Sequence, residues 1–188
     1  MRLIVPILFA SLLLPSLASA APFKGQMKFT SKAPKEDIFG TAKGTADLDI
    51  NLDDLTQIKG TITVPVKSMK TGNEKRDEHL RAPGWLDEAQ FPNITFEVTG
   101  AEKAGETQTK NDVSVADVKV TGQFTLHGVT TALSAPATIK WKADGKAKIT
   151  TKFVIKLADY NVKGKGSLVG SKVGETIACE ATLVGKTK

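Results

Sequence analysis

Ala147-Lys148-Ile149-Thr150-Thr151-Lys152-Phe153-Val154-Ile155-Lys156-Leu157 decides the fold class. Ala147, Ile149, Thr151, Phe153, Ile155 and Leu157 fall on one side, and Lys148, Lys152 and Lys156 on the other. Successive side chains of an extended backbone point to opposite faces, so a period of two marks a β-strand with one buried and one wet face. The alternation runs unbroken for six inward positions, with lysines on the opposite face, which is the strand period and not the helical one.

The same pattern recurs outward in both directions. Ile58, Gly60, Ile62, Val64 and Val66 alternate with Lys59, Thr61, Thr63, Pro65 and Lys67. Ile94, Phe96 and Val98 alternate with Thr95, Glu97 and Thr99. Further apolar faces are Val118-Val120-Gly122-Phe124-Leu126 and Leu133-Ala135-Ala137-Ile139-Trp141. Val173, Ile177, Cys179, Ala181 and Leu183 form another, with Glu175 as a polar exception. Adding Met27–Ser31 and Thr45–Ile50 gives roughly eight strands. Asp144-Gly145 reads as a hairpin turn, and Ala104-Gly105 through Asp112 as a looser one. No strand–helix alternation appears, so the sheet is expected to be antiparallel. One apolar face must be covered, either by closure into a barrel or by a second sheet. The expected fold is all-β, a single eight-stranded antiparallel barrel; a sandwich is the alternative.

A barrel of that size is either filled by side chains or holds one small ligand. Gly60, Gly122, Ala135, Ala137, Ala147, Cys179 and Ala181 are small residues on the inward face, and alternation alone leaves both outcomes open. The lumen candidates are Ile62, Val64, Phe96, Val98, Phe124, Leu126, Ile139, Trp141, Phe153 and Ile155.

The alternation breaks between Ser68 and Pro92. Thr71-Gly72-Asn73-Glu74 has the spacing of a capping box, predicting a short helix to about Arg81 that stops before Pro83. Gly84 to Gln90 reads as a further turn, with Trp85, Leu86 and Phe91 on its apolar side. This insert is expected to cap one barrel end. Beyond Arg2, the chain has two arginines, Arg76 and Arg81, and both lie here. Asp77 and Arg81 stand at i,i+4 and can pair. Arg76, Asp77, His79 and Arg81 are the candidate rim residues. Their first expected role is fixing the helix to the barrel, and their second is meeting a ligand headgroup, where the planar guanidinium fork matters.

Met1-Arg2, the apolar run Leu3–Leu17 and Ala18-Ser19-Ala20 have the three parts of a secretory signal peptide, predicting cleavage after Ala20 and a mature domain over 21–188. The apolar run is shorter than the ~20 residues that span a bilayer, and Pro6 and Pro15 interrupt it. Loss of Arg2 takes the net charge from +6 to +5. The single Cys179 excludes an intramolecular disulfide and a multi-cysteine zinc site, and its expected role is a small core residue.

The composition also narrows function. His79 and His127 are the only histidines; no His-x-His or His-x-x-Glu pairing and no Gly-x-Ser-x-Gly elbow occur. Gly164-Lys165-Gly166-Ser167 lacks the full spacing of a phosphate loop. No catalytic, metal or cofactor site is therefore expected. A sequence pI of about 9.3 raises nucleic acid as a partner. The lysines alternate along strands as a solvated face, so the expected attractor is an anionic membrane surface instead.

Two runs carry a resemblance. Gly72-Asn73-Glu74-Lys75-Arg76-Asp77-Glu78-His79-Leu80 followed by Phe91-Pro92-Asn93-Ile94-Thr95-Phe96 resembles the signature of the YceI-like family, and Gly122-Gln123-Phe124-Thr125-Leu126-His127-Gly128-Val129-Thr130 resembles its second motif. Asp159-Tyr160 and Val173-Gly174-Glu175 are similar to its C-terminal part. The resemblance implies a lipocalin-like barrel exported to the periplasm and often dimeric. It also implies binding of a long apolar chain such as a polyisoprenoid, an isoprenoid quinone or a fatty amide. One departure stands out: Met27-Lys28-Phe29-Thr30-Ser31-Lys32-Ala33 has neither the Trp nor the Asp-x-x-His-Ser-like stretch usual in the family's first strands. The alternative to a carrier is a structural module with a filled barrel and a protein partner.

Overall fold

The fold comes from a computed structural model that describes residues 22–164, 166 and 168–187; the segment expected to be a signal peptide lies outside them. Period two becomes strands β1 (Phe23–Ser31), β2 (Ile38–Asp49), β3 (Lys59–Pro65), β4 (Asn93–Lys103), β5 (Gln108–Lys110), β6 (Val113–Leu126), β7 (Val129–Lys142), β8 (Lys146–Lys156) and β9 (Thr176–Lys186), with one α-helix, α1 (Glu74–Arg81), between β3 and β4. Neighbours run β4-β3-β2-β1-β9-β8-β7-β6, and β4 pairs with β6 to close an eight-stranded barrel. Every pairing between these strands is antiparallel. The ninth strand, β5, is a short flap on the start of β6 that alternation did not reveal, because all three of its residues are exposed.

Closure brings backbones close. Gly122 of β6 faces Val98 of β4, and a Cβ there would collide with the Glu97 carbonyl. The turn from β6 to β7 is two residues long, and His127 and Gly128 both have positive φ (50° and 73°). That is the geometry whose twist matches a hairpin. The expected Asp144-Gly145 hairpin joins β7 to β8, with Asp144 Oδ1 accepting from the Lys146 amide at 3.0 Å.

Three expectations shift. β9 starts at Thr176, so Val173 and Glu175 lie before it. They make a turn instead: Val173 donates its amide to Leu168, and the Glu175 carbonyl accepts from Leu157 at 2.9 Å. The helix is capped by Asn73, whose Oδ1 accepts from the Arg76 amide at 3.0 Å, and not by Thr71. Thr71 is unavailable because Asp77 holds it. Asp77 does not pair with Arg81; its nearest cation is Lys70 at 3.7 Å, while Arg81 Nε pairs with Glu88 at 3.5 Å.

The interior divides into two clusters along the barrel axis. One holds Phe23, Leu48, Ile50, Val98, Val118, Ile139, Ile149 and Leu183. A 3₁₀ turn at Leu55–Gln57, capped by Asp54, drives Leu55 and Ile58 into that cluster and plugs the end. The second gathers Val66, Leu86, Phe124, Leu126, Ile155, Leu157, Tyr160 and Val162 at the opposite end, beside α1. Met27 and Phe96 pack against both.

Candidate functional site

The second cluster is not solid. It surrounds a cavity of about 480 Å³ at the barrel end where the helical insert lies. Alternate residues of the strands build its wall: Phe29 and Ser31 from β1, Phe153 and Ile155 from β8, Ile177 and Cys179 from β9. Leu80, Trp85 and Leu86 supply the insert's side of it. The insert is tied across the mouth to the loop that follows β8, because Gly164 donates its amide to Gly84 at 3.0 Å. Gly164 has φ +70°, and a Cβ there would press on the Trp85 ring at 2.9 Å.

The ten lumen candidates separate by whether they line the cavity, with Phe96 packed against both clusters. Val64, Phe124, Leu126, Phe153 and Ile155 line the cavity. Ile62, Phe96, Val98, Ile139 and Trp141 do not; they belong to, or pack against, the plugged half. All ten belong to the interior, as the alternation predicted. The error lies in height, since a strand's inward face runs through both halves and period two carries no information about depth. Of the cavity residues absent from those ten, Met27 and Phe29 lie in β1 and Ile94 in β4, both strands that alternation had identified. The apolar side assigned to Trp85 and Leu86 was the available signal for the insert's part.

The rim candidates separate too. Arg76 and His79 line the cavity, and Asp77 and Arg81 do not. Arg76 is held by three contacts: Nε donates to Thr71 Oγ1 at 3.0 Å, Nη2 to the Thr71 carbonyl at 3.0 Å, and Nη1 to Glu36 at 3.2 Å. Asp77 grips the same threonine from the other side. Its Oδ1 accepts from the Thr71 amide and hydroxyl, both at 2.7 Å. Lys70, the residue before, exchanges two backbone hydrogen bonds of 2.8 Å with Thr41 of β2. The chain from Thr41 through Lys70 and Thr71 to Asp77 and Arg76 therefore anchors the helix to the barrel wall.

Burial pushes the Asp77 carboxyl up, but the Thr71 hydroxyl and amide, then Lys70 and Arg81, outweigh it and hold it below the ordinary value. Cys179 faces the cavity, and burial pushes its thiol up to about 12. His127 hydrogen-bonds the Tyr160 carbonyl at 3.1 Å and meets the edge of Phe91 with ring centroids 5.0 Å apart. Gly128 lies under the same Phe91 ring. The two sequence motifs thus touch at Phe91, His127 and Gly128, and that contact is a packing contact. Among the described residues no group of three or more His, Cys, Asp or Glu is placed to hold a metal ion.

The profile of the YceI-like domain matches residues 20–184, nearly the whole chain. The chain belongs to the YceI-like domain family. Protein YceI of Escherichia coli O17:K52:H18 is 31% identical to this YceI-like chain over 110 residues, 56% of the chain and 52% of that protein. The chain thus spans about half the length of the curated relatives it matches. The crystal structure of Burkholderia cenocepacia BcnA superposes with a TM-score of 0.75 at 20% identity, covering 86% of this chain and 96% of that one. A structure described as a polyisoprenoid binding domain from Saccharophagus degradans, implicated in plant cell wall breakdown, gives 0.68 at 14% identity, covering 90% and 99%. At those identities the likeness is one of fold, and it matches the YceI-like barrel described above.

Proposed function

We propose that this YceI-like protein is a periplasmic carrier that holds a long apolar chain, from a polyisoprenoid, an isoprenoid quinone or a fatty amide, and performs no chemistry on it. The observation that carries this reading is the cavity: about 480 Å³, walled by Phe, Ile, Leu, Val and Met, at the one barrel end that is not plugged. Burial of apolar surface contributes about 25 cal/mol per Å² and is indifferent to head chemistry, so an apolar bowl selects a chain before it selects a headgroup. The name given to the Saccharophagus degradans domain supports the same ligand class.

The carrier works by transfer from a bilayer. A net charge of +5 after loss of Arg2 favours transient contact with an anionic membrane surface, where such chains reside. No nucleic acid is a partner.

Native mass spectrometry of protein purified from its own periplasm, followed by lipid extraction, tests the reading. Retained apolar lipid is expected. A protein that comes out empty and takes up no added lipid would favour the structural module acting through a protein partner. N-terminal sequencing of the same sample should begin at Ala21; an intact Met1 in the periplasmic pool would refute export with cleavage.

A further inference from the structure

We infer that the cavity measures its ligand: it encloses a chain end of about sixteen carbon atoms and stops there, with Met27 as the floor. The inference rests on the carrier reading and adds the ligand's enclosed length to it. At roughly 30 Å³ for each water-sized group, 480 Å³ accommodates about sixteen carbons. The depth agrees with a short bowl. Cavity-lining residues run from Ser31 to Met27 on β1 and from Ile177 to Ala181 on β9. Four steps of strand at ~3.3 Å each give about 13 Å. Sixteen carbons at full stretch are longer than that, so the bound chain bends.

Below that level packed side chains of the first cluster fill the interior. Met27 lines the cavity and packs against both interior clusters. A Cβ on Gly25 would lie 2.7 Å from Met27 Cε and 2.8 Å from Leu183 Cδ2, so these two side-chain tips meet over bare backbone. Leu183 is itself buried in the plugged cluster with Val98, Ile139 and Phe23. Gly44 makes further room for the Met27 methyl, which would sit 3.1 Å from a Cβ there. Interiors are close-packed and do not stretch to admit extra methylenes without strain. A longer ligand therefore enters by one end and leaves the rest outside the mouth.

The test is a titration of delipidated protein with two homologous series, straight-chain alkanoic acids of ten to twenty-two carbons and prenols of ten, fifteen, twenty and forty-five. Tryptophan fluorescence reports binding, because Trp85 lines the cavity. Affinity is expected to rise about fourfold per carbon while each carbon is newly buried. It then levels off near sixteen, with longer chains within about twofold of one another. Met27→Ala removes three side-chain heavy atoms and should move the break about three carbons longer. Ala181→Leu, opposite Met27 in the β1–β9 register, adds three and should move it about three shorter. Affinity that keeps rising through twenty-two carbons overturns the enclosed length while leaving the carrier reading intact. A break that ignores both variants overturns the floor at Met27. Absence of binding at every length overturns the carrier reading, and this inference falls with it.

Discussion

Asp77→Ala should loosen the helical insert more than any other single change at the rim. Asp77 is 3% exposed and accepts two hydrogen bonds of 2.7 Å from Thr71. A hydrogen bond to a charged group is worth ~1.5–3 kcal/mol, and the cost of removal includes the donors left behind. Thr71 is half-buried, so water partly replaces the lost acceptor and the lower end of that range applies to each bond. The Lys70 contact at 3.7 Å adds little, since Lys70 is exposed. The expected loss is about 3 kcal/mol, which for a domain of this size lowers Tm by roughly 6–12 °C. Asp77→Asn keeps the acceptor oxygen and should cost about 1 kcal/mol. The pH dependence has a definite sign. The folded carboxyl lies below its ordinary value of 3.8, so its contribution is present above that pH and disappears as pH falls through the folded value. Circular dichroism melts at pH 7 and pH 3 should therefore show the gap between wild type and Asp77→Asn closing at the lower pH. Arg76→Ala should also lower Tm, because its guanidinium holds the same threonine. The double variant should lose less than the sum of the singles, since each bond depends on Thr71 staying in place. A fall under 2 °C for Asp77→Ala, or strict additivity with Arg76→Ala, would sink the clamp argument.

Other outcomes follow from the cavity wall. Phe124 meets the edges of Phe153 and Tyr160 at centroid distances of 5.9 and 5.6 Å, so Phe124→Ala should cost about 3 kcal/mol by denaturant unfolding. Phe124→Asp leaves an unpaired carboxylate in an apolar wall and should unfold the barrel or abolish lipid uptake; a folded variant with wild-type affinity would contradict the placement. Cys179, with its thiol pushed up to about 12, should resist iodoacetamide at pH 8 in the folded protein and react once denaturant is added. Because its unfolded thiol ionises first, the Cys179 contribution to stability falls as pH rises from about 9 toward 12, and Cys179→Ala should flatten that part of the curve.

Alternation determined most of this architecture without help from tertiary structure. A strand with one apolar face has only one way to point its side chains, so all ten lumen candidates reach the interior. Local chemistry was equally legible where it is short-range: Asp144-Gly145 makes its hairpin, and the segment ending at Arg81 makes its helix before Pro83. What the chain alone did not determine is everything measured across strands. Ile62 and Val64 are two residues apart on one face, yet one packs in the plugged half and the other lines the cavity. That difference depends on strand stagger and on Leu55 arriving from a loop to fill one end. The same holds for charge. Asp77 and Arg81 have the spacing to pair on a helix surface, but Thr71 and Glu88 reach them first, because the barrel wall holds Thr71 against the helix. Period two reads direction at each residue, whereas depth, closure and partner choice are sums over the whole sheet, and only the closed barrel sets them.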